Sequence, residues 1–336
     1  MSTVRQPSPR RGTASRLVTA VLTVVLASVL LVTAGGLLAV LLLVRDDAQA
    51  GSASGSDSGS GSGSGSGSVH AELVPQPFGV PREPPARTPP VRPVPPVPVD
   101  AAAVQAGVDA AAAAARGTVD VVVLDTAGRP LVTGPSAAEV RYTASLVKPL
   151  VVGRLLALDA TGALELGDRD LALMERAIAR SDDGAMSVLW DRFDGAALVT
   201  AAAADAGLTA TAPPAVAGEW GEATTSAADV ATFLAGLAAT PRDAPAATLL
   251  GWMQATTATA ADGFDQVFGV LGGTAGVAAK QGWMCCVDGR RQVHSAGVLP
   301  DGRVVVLLGD FPASTSWARA RGALDAAASA VFGALG

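Results

Sequence analysis

The sequence predicts an α+β domain in which an antiparallel sheet of about five strands is flanked by helices. Runs rich in β-branched residues occur near both ends of the folded region, at Val119 to Leu124 and at Gln292 to Val298 and Arg303 to Gly309. Asp-Gly turn signals separate the later runs. The chain between the two ends is helical in pattern, so strands from both ends are expected to pair in one sheet around an all-helical subdomain.

Caps, breakers and periodicity predict the remaining elements. Asp100 caps an Ala-rich helix that runs to Ala115, and Pro130 to Thr133 forms a hairpin with the first strand. A further strand is predicted at Val277 to Trp283, and loops at Thr209 to Thr224 and Gly269 to Gly276. Further helices are predicted at Ser145 to Leu158, Asp168 to Ala179, Gly184 to Phe193, Gly195 to Ala206, Ser226 to Leu237, Pro245 to Thr256 and Trp317 to Leu335.

The N-terminal third predicts a membrane anchor and a linker. Residues 1–16 form an arginine-containing tail that is expected to stay cytoplasmic, and residues 17–44 are uncharged and apolar enough to span a bilayer once. Residues 45–100, first Gly/Ser-rich and then Pro-rich, predict a disordered linker to an extracytoplasmic domain at 101–336. Ala48-Gln49-Ala50 leaves open the alternative of cleavage after Ala50 and secretion.

Composition excludes several classes of function. The net charge is −6 and no Lys/Arg cluster with aromatic residues is present, which argues against nucleic acid as a partner. The two histidines are His70, in the linker, and His294, so a Ser-His-Asp triad would depend on His294 alone. We expect no metal and no cofactor, and a monomeric domain.

Lysine is used at only two positions, Lys148 and Lys280, although the chain has 24 basic residues. Lys148 follows Ser145 by three residues at a predicted helix start, so the two side chains share one face. A lysine can lose its proton and activate a serine, whereas arginine cannot. An ordinary helix start is the alternative interpretation of this spacing, but the restricted use of lysine favours a chemical role.

Three motifs occur in order: Ser145-Leu146-Val147-Lys148, Ser181-Asp182-Asp183 and Lys280-Gln281-Gly282. Together they resemble the motif set of the serine β-lactamase and penicillin-binding-protein superfamily, and of its class A-like members in particular. The resemblance extends over residues 101–336. It implies a β-lactamase/transpeptidase-like fold and an acyl-enzyme formed with β-lactams or D-Ala-D-Ala-like cell-wall peptides. The interval between the first two motifs is short, so the helical subdomain is expected to be trimmed.

The resemblance also implies roles for individual residues. Ser145 would be the acylated nucleophile and Lys148 its proton acceptor, and Ser181 would pass the proton to the leaving nitrogen. Lys280 would hold the substrate carboxylate. The backbone N–H groups of Ser145 and Trp283 would form the oxyanion hole.

The middle and last motifs depart from the family's pattern. Asp183 occupies a position where the family has Asn, and a carboxylate beside Lys148 predicts a raised lysine pKa and a poorer base. Gln281, one of the residues expected to bind substrate, replaces the family's hydroxyl residue and so removes one donor to the substrate carboxylate. Gly282 is expected to let substrate lie close to the strand edge.

The loop before the helix at Ser226 lacks the family's Glu-x-x-x-Asn pattern. It contains Glu219 and Glu222 as candidate deacylation bases, or as ordinary solvated charges. Efficient turnover is therefore not expected, and an alternative function is a domain that binds or is acylated by cell-wall ligands without turning over, as a sensor or scaffold.

Adjacent cysteines, Cys285 and Cys286, follow the Lys280 strand. Alternating strand geometry predicts one buried and one exposed thiol, and an extracytoplasmic location favours a disulfide between the two. Both interpretations stay open at this point.

Overall fold

A computed structural model describes residues 98–240 and 245–336. The predicted tail, anchor and most of the linker lie outside these residues. No helix within the described ranges is long and apolar enough to cross a bilayer.

The centre of the domain is a five-stranded antiparallel sheet with the order β2-β1-β7-β6-β5. Its strands are β1 Thr118–Leu124, β2 Pro130–Thr133, β5 Ala278–Val287, β6 Arg290–Val298 and β7 Val304–Pro312. Strand β1 pairs with β7 over its whole length, so the two ends of the folded region meet in one sheet as the sequence predicts. A second, two-stranded sheet joins β3 Arg141–Tyr142 to β4 Thr224–Thr225, and the sequence pattern did not predict it.

Helices cover both faces of the sheet. They are α1 Ala101–Ala114, α2 Val147–Ala160, α3 Asp168–Ala179, α4 Asp183–Arg192, α5 Gly195–Ala206, α6 Ala227–Ala238, α7 Pro245–Gln254, α8 Gly269–Gly273 and α9 Trp317–Leu335. Side-chain oxygens cap several N-termini: Asp100 accepts hydrogen bonds from two backbone N–H groups of α1, and Ser226 accepts one from Asp229 in α6. The predicted loop at Gly269 to Gly276 contains the short helix α8, which its glycine content obscured.

Two apolar cores form because alternate residues of each strand face opposite sides of the sheet. Val121 and Leu307 belong to the core beneath the terminal helices α1 and α9, whereas Val122 and Leu308 belong to the larger core shared with α2 to α7. The α+β architecture with a helical subdomain is thus confirmed. Strand β5 is an edge strand, and its free edge lies against the turn that carries Ser145.

Candidate active site

Ser145 lies in a single turn of 3₁₀ helix, Ala144–Leu146, immediately before α2. The helix therefore begins slightly later than predicted, and Pro149 still falls in its first turn, where a missing N–H does least harm. Ala144 has φ 45°, in the left-handed region that non-glycine residues rarely adopt. Ser145 is 5% exposed. A costly backbone conformation just before the serine is typical of functional sites, where surrounding contacts hold it in place.

Hydrogen bonds join the three motifs in a buried chain. Lys148 Nζ donates to the Ser181 carbonyl oxygen at 2.8 Å and lies 3.3 Å from Ser181 Oγ. Lys280 Nζ donates to Ser181 Oγ at 2.8 Å and to the Gln281 carbonyl oxygen at 2.8 Å. Ser181 thus bridges both lysines of the protein, and Lys148 lies one helical turn from Ser145.

Ser181 is held between α3 and α4. Its φ is 49°, again in the left-handed region. The next residue, Asp182, fixes the junction: Asp182 Oδ1 accepts a hydrogen bond from Ala185 N at 2.9 Å, and Oδ2 accepts one from Arg176 Nε at 3.0 Å. The capping aspartate and its arginine partner therefore determine where Ser181 points.

Asp183 forms an ion pair with Lys148, with 2.6 Å between Oδ1 and Nζ. The contact is as expected, and the carboxylate raises the lysine pKa as predicted, but the net pKa of Lys148 is lowered instead of raised. Burial lowers the pKa of Lys148 below its ordinary value, and the opposing effect of Asp183 does not cancel it. The carboxylate is itself 63% exposed, so water screens it. Lys148 is consequently a better base than the Asp183 substitution alone would indicate.

Lys280 is 1% exposed, and its Nζ donates hydrogen bonds to atoms of the protein itself. Complete burial, with a further contribution from the charge of Lys148, holds the pKa of Lys280 well below its usual range. The lysine is thus well placed to orient Ser181 but is poorly exposed to a ligand. The predicted contact with a substrate carboxylate stays a prediction.

The residues after Lys280 point in alternate directions. Gln281 is fully buried on the other face of the sheet, where its amide nitrogen donates to the carbonyl oxygens of Gln266 and Phe268 at 2.9 and 2.6 Å. Its side chain is not in the cleft and supports the 266–268 segment instead. Trp283 lies at the rim, half-buried and stacked on Phe264 with 4.5 Å between ring centroids.

The structure gives a reason for a glycine at position 282 that differs from the one the sequence suggested. A Cβ at this position would lie 3.2 Å from the Thr143 carbonyl oxygen and 3.4 Å from both His294 Cδ2 and Leu146 Cγ. These atoms belong to the protein, so the glycine lets the Ser145 turn pack against β5. Its role in substrate access stays a prediction.

The loop expected to supply a carboxylate places an aromatic ring at the lysine. Trp220 lies with its ring centroid 4.9 Å from Lys148 Nζ and donates a hydrogen bond from Nε1 to Ser187 Oγ at 3.2 Å. Glu219 is exposed and Glu222 half-buried, and within the described ranges neither carboxylate takes part in a hydrogen bond or ion pair. Trp220 was missed because its contact depends on how the loop folds back.

His294 does not contact the hydroxyl of Ser145. It is fully buried, and its Nε2 lies 2.9 Å from the Tyr142 carbonyl oxygen, three residues before the nucleophile. Burial lowers the pKa of His294 to about 4, so the ring is neutral at pH 7. His294 therefore holds the start of the nucleophile segment, and a Ser-His-Asp triad has no geometric support.

The two cysteines, Cys285 and Cys286, are joined by a disulfide on an exposed stretch of β5. Of the two interpretations that the sequence left open, the structure contains the disulfide. It lies on the same strand as Lys280 but outside the hydrogen-bonded chain of the site.

Solved structures define the class of fold. A β-lactamase from Chitinophaga pinensis DSM 2588 has a TM-score of 0.55 and 20% identity, and the match covers 69% of this chain and 99% of that one. A β-lactamase from Desulfarculus baarsii DSM 2075 has a TM-score of 0.56 and 21% identity over 71% and 99% of the two chains. The domain has the serine β-lactamase fold, as the three motifs predicted.

Sequence relatives define the family more closely. The protein named "Putative lipoprotein LppW" in Mycobacterium tuberculosis (strain ATCC 25618 / H37Rv) is 35% identical over 217 residues, which are 62% of this chain and 68% of the relative. The Mycobacterium bovis protein of the same name matches equally. This chain belongs to the LppW family. No protein-family model matches the sequence.

Proposed function

We propose that the domain forms an acyl-enzyme on Ser145. The observation that carries this proposal is the buried chain in which Ser181 joins Lys148 to Lys280, one helical turn from the serine. The β-lactamase fold supports it. Acyl donors of the β-lactam or cell-wall-peptide kind, small molecules or short peptides, fit this chemistry.

The proposed step is an acyl transfer. Lys148 takes the hydroxyl proton of Ser145 as Oγ bonds to the acyl carbon. The bond from that carbon to the leaving nitrogen then breaks, and the proton reaches this nitrogen through Ser181. Backbone N–H groups of Ser145 and Trp283 are proposed to stabilise the oxyanion. Water later cleaves the acyl–Ser145 ester, which releases the acid and restores the serine.

Slow deacylation is proposed as part of this function. Of the loop residues Trp220, Glu219 and Glu222, Trp220 alone contacts Lys148 within the part of the chain that the structure describes. Without a carboxylate of this loop at the lysine to activate water, the acyl-enzyme should persist. This supports the second candidate function, in which the domain is acylated by a cell-wall ligand and acts as a sensor or scaffold.

Intact-mass spectrometry of the purified full-length protein tests acylation. A fluorophosphonate should add to Ser145 readily, and penicillin more slowly. Ser145→Ala should abolish both adducts, whereas the exposed Ser329→Ala on α9 should retain them. Failure of both reagents to modify Ser145, or persistence of the adducts in Ser145→Ala, would refute the proposal.

We also propose export and membrane association, which the naming of the LppW relative as a lipoprotein supports. Residues 17–44 are uncharged and apolar, and we propose that they are the anchor. A reporter that works only outside the cytoplasm should be active when it is fused after Val44. A mature N terminus at Gly51 would instead indicate secretion.

A further inference from the structure

The charges around the candidate site are distributed so that its cations are buried and its anions are exposed. Lys148 and Lys280 are 0% and 1% exposed. Both ammonium groups donate to protein atoms, Lys148 to the Ser181 carbonyl oxygen and Lys280 to Ser181 Oγ and the Gln281 carbonyl oxygen. A ligand in the cleft therefore meets little of either positive charge.

Two exposed carboxylates are connected to these lysines, Asp183 by direct contact with Lys148 and Asp262 through the Trp283 ring that lies near Lys280. Asp183 is 2.6 Å from Lys148 Nζ with most of its side chain in water. Asp262 is exposed and accepts a hydrogen bond from Trp283 Nε1 at 3.1 Å, and the Trp283 ring centroid is 5.8 Å from Lys280 Nζ.

Apart from the two lysines themselves, the charges that most affect their pKa values are all negative. Asp183 and Asp262 both act on Lys148 and on Lys280, and the only further carboxylate among the main influences is the capping Asp182. Within the described residues, no arginine is among those main influences. A ligand anion next to Lys280 would therefore meet the exposed negative charges of Asp183 and Asp262, with no arginine of the described chain among the main influences on that lysine.

We propose that the cleft selects acyl donors whose leaving group is neutral or cationic, such as an amidated or amine-bearing peptide, and disfavours donors with a carboxylate there. This inference depends on the proposed acylation of Ser145 and narrows its substrate class. The motif resemblance implies a substrate carboxylate at Lys280, and the proposed preference is for the opposite or no charge there. Asp262 is the residue that determines this preference at the Lys280 end.

Matched thioesters with one acyl group test the inference directly. Their leaving thiols would be mercaptoacetate, mercaptoacetamide and 2-(trimethylammonio)ethanethiol, which are anionic, neutral and cationic. Rates of Ser145 acylation, measured by intact mass and divided by the rates with free hydroxylamine, should follow the order cationic, neutral, anionic. We expect at least about ten-fold between the extremes at low ionic strength, which should shrink in about 0.5 M salt as charges are screened.

Asp262→Asn should raise the rate with the anionic thioester several-fold and lower it with the cationic one. Asp191→Asn provides a matched control, because Asp191 is exposed about two turns along α4 from Asp183. It should leave the order of rates unchanged.

The outcomes separate this inference from the proposed function. Fastest acylation by the anionic thioester, unchanged in Asp262→Asn, would overturn the charge preference while leaving acylation of Ser145 intact. Absence of acylation by all three thioesters and by the fluorophosphonate would overturn both.

Discussion

Asp183 carries a charge whose effect on the pKa of Lys148 opposes the effect of burial. The carboxylate raises the lysine pKa and burial lowers it, with burial prevailing. Asp183→Asn removes the charge and keeps the shape, so the pKa of Lys148 should fall further. Because the neutral amine is the competent base, acylation of Ser145 near neutral pH should then accelerate several-fold, and by no more than about ten-fold since Asp183 is largely exposed.

The pH dependence of acylation is the measurement that checks this. In the unaltered protein the rate should rise with pH as Lys148 loses its proton, and in Asp183→Asn the same rise should occur at lower pH. Asp191→Asn, with the same change in net charge, should leave the profile in place. Loss of acylation in Asp183→Asn would mean that the carboxylate takes part in the chemistry directly.

At this scale the sequence predicted which residue types gather but not which way each one points. Scarcity of lysine correctly drew attention to Lys148 and Lys280, which share the hydroxyl of Ser181. The direction of Gln281 depends on strand alternation and on acceptors in the 266–268 segment, neither of which lies in its motif. Burial, which decides the lysine pKa values, is likewise a property of the packed molecule.

At the scale of elements, the 3₁₀ turn Trp220–Glu222 decides what covers the lysine. Thr143 N donates to the Ala223 carbonyl oxygen at 2.7 Å, so this turn is tied to the nucleophile segment. The indole of Trp220 lies over Lys148 Nζ, and we expect it to limit the access of water to an acyl group on Ser145. Trp220→Ala should therefore shorten the lifetime of the Ser145 acyl-enzyme several-fold.

Decay of the acyl-enzyme mass after removal of free reagent measures this lifetime. Trp220→Phe keeps an aromatic face and should stay close to the unaltered protein, although it loses the bond to Ser187. Glu219→Gln and Glu222→Gln should have little effect. Rapid turnover by the unaltered protein, lost on either Glu→Gln change, would show that a carboxylate of this loop activates water after all.

At the scale of the whole molecule, His294 links acid stability to the sheet. It is fully buried, and its pKa falls from 6.5 to about 4 chiefly through that burial, with smaller effects from the charges of Asp120, Asp310 and Arg141. The unfolded chain therefore binds a proton at a pH where the folded protein does not. His294 should lower the free energy of unfolding as pH falls from about 6.5 to 4, with a limit of about 3 kcal/mol.

Urea unfolding at pH 7 and at about pH 4.5 can isolate this contribution. His294→Gln does not titrate and its amide can still donate to the Tyr142 carbonyl oxygen, so the variant should lose about 2 kcal/mol less than the unaltered protein between the two pH values. The carboxylates titrate equally in both proteins, so their contributions cancel in the difference between the two losses of unfolding free energy. Equal losses would show that His294 does not stay neutral in the folded state.

The sequence by itself determined the class of fold and most element boundaries, and it indicated the residues that are proposed to carry the chemistry of the candidate site. Periodicity, caps and Asp-Gly turns are local signals, so α3 Asp168–Ala179 and β2 Pro130–Thr133 have the bounds that were predicted. Three short motifs in order were enough to indicate the fold because each lies at a fixed place in it.

Only the tertiary structure decided the environment of that chemistry. The two-residue strands β3 and β4 are too short to carry a period, and they form because distant segments meet. The same holds for the ring over Lys148, the histidine behind the nucleophile turn and the exposed Asp262 near Lys280. Contacts between residues far apart in the chain set burial and local charge, and these quantities govern the pKa values and the ligand preference proposed for the site.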